Sequence, residues 1–363
     1  MAYTTVDNPE LYFQSKIYTG NGGTNAITLD GSENMQPDWV WIKDRDTSGN
    51  SHILVDSVRG ASKNVHSNLT NAESTKTDRV VSFDSDGFTL GADSSQGAND
   101  NGSSQVAWCW KAGTSFSNDA SSTGIGSIDS SGSFNNDAGF SIVSFVGTGS
   151  NATVKHGLNA APNFIIFKDR SSSKDWFVYH QSISPARGLK LNKSDYPGND
   201  SSYFQDTAPS SSVFSVGSAN TVNASSNNMI AYCFVEKKGY SKFGTFTSNG
   251  NDSGTFAYCG FTPRWIMIKP LVSDGWSHWY IFDTKRDHPQ LNDAPLYANL
   301  DTREAYYGGS PASNYSQIDI LSNGFKIRRD GNWGVGGSGQ ASAFMAFAES
   351  PFVNSNGIPT NAK

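Results

Sequence analysis

The chain has 363 residues, of which only 17% are charged, and its net charge of −6 comes without any Lys/Arg cluster longer than two residues, which leaves no basic face for a phosphate backbone. Gly, Ser, Asn and Thr fill the place of charge, and 12% of residues are aromatic, a composition that excludes a disordered chain. No apolar run of membrane-spanning length occurs, and three cysteines, with Cys109 and Cys233 inside apolar runs, do not form a disulfide framework.

The N-terminal stretch Met1–Glu10 reads as a short arm that could dock on another protein. No apolar signal region is found there, so Sec-type export is not expected. The following Leu11–Ser15, Leu-Tyr-Phe-Gln-Ser, resembles the end of an engineered protease site, but Pro9 stands where that site needs Glu. Tyr12 and Phe13 instead read as the start of a native strand.

Next comes Gln36–Arg45, QPDWVWIKDR, and this block recurs as APNFIIFKDR (Ala161–Arg170) and TPRWIMIKPL (Thr262–Leu271). Each has a Pro, an aromatic two residues on, an apolar run and a Lys, here Lys43, Lys168 and Lys269. Four further blocks recur in the same order, from the openings FQSKIYTGNG, FSIVSFVGTG and YSKFGTFTSNG to the closings VAWCWKAG, IAYCFVEKKG and FMAFAESPF. Repeats of about 100 to 125 residues have the size of whole domains rather than solenoid units. The expected division is residues 1–115, 116–238 and 239–363, with almost no linker between the last two. Ala112–Ala138 is the longest connector, a linker or an added strand carrying Phe116, Ile125, Ile128 and Phe134.

Within a repeat the apolar runs are short, and the Pro sits at a strand start where its missing N–H is tolerated. DSDGF and LSNGF place Asp-Gly and Asn-Gly between extended segments, the signature of a type I′ hairpin. Helical periodicity with caps is absent. The expected fold class is all-β, with three tandem homologous β-sandwich or jelly-roll domains.

The pattern of chemical groups points away from catalysis, and no catalytic, cofactor-binding or metal residue is expected. Asp84–Gly87 begins like a calcium loop but lacks the later ligands. Gly334–Gly339 matches a dinucleotide glycine pattern but precedes a strand rather than a helix. The six histidines are dispersed, with His52 and His278 expected to open equivalent strands, and no acidic residue recurs in all three repeats to supply a glycosidase pair. The recurrent lysines read as structural, the stem packed on an aromatic and the head in water. The expected binding residues are loop aromatics and their neighbours, Trp276 and His278 in VSDGWSHWY and Tyr306 and Tyr307 in REAYYGGSP, because exposed rings stack on sugars and anchor protein contacts.

IYTGNG, QPDWVWIKDR, DSVRGASK, SFDSDGFTLG, VAWCWKAG, YIFDTKR and the ending MAFAESPFVNSNGIPTNAK together resemble a family of virion proteins from tailed phages of marine bacteria, including cyanophages. The resemblance covers nearly the whole chain and implies a tail-fibre-like or other structural protein with lectin-like, concanavalin-like jelly-roll domains, no enzymatic activity and no cofactor. It implies a place on the virion, assembly in the host cytoplasm and release by lysis. The expected function is a tail-fibre, tail-tip or knob component that attaches to a host-surface glycan or protein. A capsid decoration or head fibre is the alternative, and a glycan depolymerase a weaker one. Expected partners are other virion proteins and a host glycan or receptor, with no nucleic acid and no membrane insertion. Weak sites gain through avidity, so a homo-oligomer is expected, with a trimer favoured. Heptads for a long shaft are lacking.

Overall fold

A computed structural model describes residues 3–93, 97–286, 294–304, 317–328 and 335–360. The chain is all-β, with 42% of residues in strands and 3% in helix, and among the described residues every pairing between strands is antiparallel apart from an isolated parallel bridge, Ile128–Val154. Helix among the described residues is confined to single turns such as Ala120–Thr123 and Asn220–Asn223.

Three large sheets repeat one strand order. The first runs Phe13–Thr19, Ser104–Trp110, Trp39–Asp44, Ile53–Asp56. The second is built on Phe140–Val146, Asn228–Phe234, Phe164–Asp169, Phe177–His180. The third runs Ser241–Thr247, Ala341–Pro351, Phe261–Pro270, Tyr280–Asp283. The register repeats as well. Trp39 lies between Trp110 and Asp56, Phe164 between Phe234 and His180, and Trp265 between Phe347 and Asp283.

The Pro-led strand is buried throughout in the first two large sheets and from Trp265 onward in the third, because both of its faces are covered there. A large sheet and the small sheet that covers it make one lobe, and in the first Val40 and Ile42 pack beneath a small sheet carrying Ile27, Phe88 and Leu90. The second and third lobes cover Ile165 and Phe167, and Ile266 and Ile268, in the same way. Each lobe is therefore sandwich-like. The opposite faces meet one another. Trp39, Trp41, Trp108, Trp110, Phe164, Tyr232, Phe234, Phe243, Trp265 and Phe347 form a single core shared by all three lobes. Trp39 stacks on Tyr232 with ring centroids 4.5 Å apart, Trp110 meets Trp265 edge-on at 5.6 Å, and Phe234 lies 5.9 Å from Phe347. Each of these three contacts joins a different pair of lobes, so the lobes close into a ring. Burying one such ring removes about 150–250 Å² from water, roughly 4–6 kcal/mol before entropy is counted.

Several expectations are sharpened or corrected. Phe13, 1% exposed, starts the first strand and belongs to the shared core, while Tyr12 packs against its edge. The arm is not a free peptide, since Thr4 is buried and its hydroxyl donates to the Lys238 carbonyl at 2.7 Å. Ala112–Ala138 holds two paired strands, Thr114–Asn118 and Ser130–Asn135, which extend the second sheet, so the 115/116 boundary falls within a strand. The Asp-Gly and Asn-Gly hairpins form, but not as type I′. Among the described residues only Gln205, Asp206 and Ser226 are non-glycines with positive φ, so the loop residues Ser85 and Asp86, or Ser322 and Asn323, do not adopt the mirror-image turn. Asp84 pairs with Gly87, which takes φ +119° at the fourth position of the turn.

Candidate functional site

The recurrent lysines are fully buried, which overturns the expectation that their heads reach water. Lys43 Nζ donates to the carbonyls of Asp44 and Asn50 at 2.9 Å and, across a lobe boundary, to that of Asp301 at 3.3 Å. Lys168 Nζ donates to Lys174 and, across the next boundary, to Thr70, both at 3.0 Å. Lys269 Nζ donates to the Ser277 carbonyl. Burial pushes Lys43 and Lys168 down to about 8 and Lys269 to about 7, against the pull of nearby carboxylates. Lys43 and Lys168 thus tie backbone across lobe boundaries, whereas the bond from Lys269 stays within the third lobe.

A second set of contacts repeats around the ring. Trp176 Nε1 donates to the His66 carbonyl at 2.8 Å, Trp279 Nε1 to that of Lys190 at 2.8 Å, and His52 Nε2 to that of Tyr297 at 2.8 Å. His52 can donate there because its Nδ1 accepts from Trp41 Nε1 at 2.8 Å, which fixes a neutral tautomer. Burial holds His52 well below its usual range. The backbone N–H of His52, Trp176 and Trp279 in turn bonds the side-chain oxygen of Asn68, Asn192 and Asn299. His52 thus corresponds to Trp176 and Trp279, and the expected equivalence of His52 with His278 fails by one residue.

Two of the three seams carry buried ion networks. In the first, Arg59 Nε bonds Asp56 Oδ2 at 2.5 Å, Tyr232 of the second lobe donates to Asp56 at 2.7 Å, and Glu73 holds both Arg59 and Arg170. Burial alone would depress Arg59, but the Asp56 and Glu73 carboxylates outweigh it and raise it. In the second, Arg286 bonds Asp283 at 2.5 Å, Trp108 of the first lobe donates to Asp283 at 3.1 Å, and Glu304 reaches both Arg286 and Arg45. The remaining seam has His180 and Ile183 at the Asp and Arg positions, with His180 Nε2 bonding the Phe344 carbonyl at 3.3 Å. Burial pushes His180 down to about 4, so it is neutral near pH 7.

All of these groups are consumed in holding the ring together, and binding chemistry is sought on the surface. Trp276 is 53% exposed on a loop pinned by Asp274, which accepts from the Trp276 N–H and the Ser277 hydroxyl. His278 is turned away, its Nδ1 accepting from Asn299 Nδ2 at 2.8 Å and its ring set against Tyr297. The two are neighbours in sequence but do not form a joint site. Tyr306 and Tyr307 lie outside the described residues. A cleft of about 350 Å³ between the first lobe and the added hairpin is lined by Asp38, Ser57, Phe116 and Ser133, but Asp38 is engaged by the Ser57 hydroxyl at 2.6 Å and the Ala112 N–H at 2.9 Å.

Among the described residues a cluster of outward rings lies elsewhere and escaped the sequence reading. The short strand Phe256–Tyr258 buries Ala257 and turns Phe256 (41% exposed) and Tyr258 (54% exposed) outward on one face. Tyr3 joins them, its hydroxyl 3.1 Å from that of Tyr258 and its ring 4.5 Å beneath Lys238 Nζ. The corresponding outward positions, aligned on the buried Ile27, Val154 and Ala257, are Ala26 and Thr28 in the first lobe and Thr153 and Lys155 in the second. The signal was the alternation Phe-Ala-Tyr between Gly254 and Gly260, which one apolar inward residue made too brief to notice.

The fold and surface define an all-β protein of three sandwich-like lobes with outward aromatic side chains. A family model described as a domain of unknown function (DUF7483) matches residues 8–351, and the chain belongs to that family. Searches of curated proteins and of solved structures return no match.

Proposed function

We propose that the chain is a non-enzymatic virion protein, a tail-fibre, tail-tip or knob component that attaches to a host surface. The observation that carries this reading is the outward pair Phe256 and Tyr258 on the third lobe, at positions where the other lobes carry no ring. Rings that are rigid and exposed gain contact area at small entropic cost. The ring of lobes, locked by one aromatic core, is a stiff support for such a surface. The resemblance of the sequence motifs to those of phage virion proteins suggests the setting. The repeated register and the matching hydrogen bonds further support reading the lobes as three tandem homologous jelly-roll domains.

Labelled protein is expected to bind host cells in a saturable way and to be competed by intact particles. Protein that ignores host cells but binds particles lacking it would instead make it a capsid decoration, a reading that the compact closed ring also suits. Antibody labelling of tail or capsid then assigns its place.

A further inference from the structure

We propose that the outer face of the third lobe's small sheet binds a polysaccharide carrying about one carboxylate per sugar, its sugar faces lying on Tyr3, Phe256 and Tyr258 and its carboxylates meeting Lys238 and Lys326. The proposal rests on the attachment reading and names the ligand class for that surface.

The rings are set in advance. Phe256 reaches over Gly324, where a Cβ would come 2.1 Å from the Ala257 carbonyl and 3.0 Å from the Phe256 Cζ, so glycine there leaves room for the ring. Tyr258 is tethered through Tyr3, and Tyr3 is held by its hydroxyl, by Lys238 above its ring and by the buried Thr4 next to it. Phe256 and Tyr258 share one side of a strand, about 7 Å apart. Binding therefore costs little ordering of these side chains.

The strand is only three residues long at its sheet's edge, too short to template a peptide strand through its backbone, so recognition falls to the side-chain face. That face is cationic at both ends. Lys326 stands opposite Phe256 across the strand pair, and the exposed Lys238 borders Tyr3. The carboxylate beside Lys326 on the same sheet, Asp319, is neutralised by Arg328 at 3.0 Å. Two cations over three rings match the charge density of a uronate chain rather than that of a heavily sulfated polymer.

The test uses the full chain, with polygalacturonate as the probe and dextran as the neutral control. Wild type is expected to be retained on immobilised polygalacturonate, released by salt, and not retained on dextran. Phe256→Ala/Tyr258→Ala should weaken retention about tenfold or more. Lys238→Gln/Lys326→Gln should weaken it and flatten its salt dependence. Thermal unfolding of every variant should match wild type, which separates lost contacts from lost fold. The proposal is overturned if wild type ignores polygalacturonate, binds dextran equally well, or binds unchanged after either double substitution. Host-cell binding that persists in Phe256→Ala/Tyr258→Ala would overturn this site while leaving the attachment reading intact. Absence of host-cell binding by wild type would overturn the attachment reading itself.

Discussion

The two charged seams and the apolar one invite a direct exchange. Arg59→Ile installs at the first seam the residue that Ile183 supplies at the third. It leaves Asp56, whose side chain is 0% exposed, with its Tyr232 partner but without its cation. The carbonyls of Lys63 and Leu54 also lose a donor. Removing one partner of a buried pair costs about 3–5 kcal/mol, because the charge left behind is uncompensated. For 363 residues unfolding together, with about 2.1 cal/mol/K of entropy each, that is a fall in Tm of about 4–7 °C. Completing the exchange with Asp56→His and Tyr232→Met removes the stranded carboxylate and recreates the chemistry around His180 and Met345. The triple variant is expected to recover more than half of the loss, since a buried ion pair replaced whole by apolar groups is often neutral. Calorimetry and urea titration measure both steps. A shift under 1 °C for Arg59→Ile, or a triple variant no more stable than the single, would refute the claim that this seam is held by a desolvated ion network.

Phe13→Ala should cost about 3–5 kcal/mol in urea unfolding, as its ring contacts Trp110, Trp265 and Phe347 in the shared core; an unchanged midpoint would place that strand outside the core. The buried histidines make stability fall with acid. His156 and His180 drop from 6.5 to about 4 on folding, so the unfolded chain takes up protons first, and up to about 3 kcal/mol for each is present above pH 6.5 and lost as pH falls toward 4. The buried lysines give the same sign at the other end. Folded pKa values of about 8, 8 and 7 against 10.5 mean that stability should rise as pH climbs from about 8 toward 10.5, a trend that denaturant midpoints at pH 8 and 10 will check. Gly87→Ala places a Cβ 2.0 Å from the Ile27 carbonyl at φ +119° and should cost roughly 2 kcal/mol or more. Gly49→Ala, at φ +96° with nothing within 4 Å, should cost about 1 kcal/mol, and equal costs would mean that the close approach to Ile27 is unimportant.

How far the sequence carried this reading depended on whether a constraint was local. The Pro–aromatic–Lys block was visible three times because each strand must be apolar on both faces, and that leaves a run such as WVWIK. The turn type was misjudged because the Asp-Gly rule assigns Gly to the second loop position, whereas here it falls one residue later, at the start of the returning strand. Nothing local announced that the lysines are buried, since Asp301 and Thr70 accept from them across lobe boundaries through backbone carbonyls that any residue could provide. Closure of the ring was hidden for the same reason, because His66, Lys190 and Tyr297 share no side-chain chemistry and contribute only a carbonyl oxygen. What the sequence does record is the order of the lobes. Arg59 meets Tyr232 and Arg286 lies 5.9 Å from the Trp108 ring, so both cations face partners that hydrogen-bond their carboxylate, while Ile183 and Met345 share the apolar core. Exchanging two lobes would bring an Asp–Arg pair against Met345, which offers no donor to the carboxylate. That mismatch disfavours every order but the native one, so the differences between the repeats, rather than their likeness, specify how the ring is assembled.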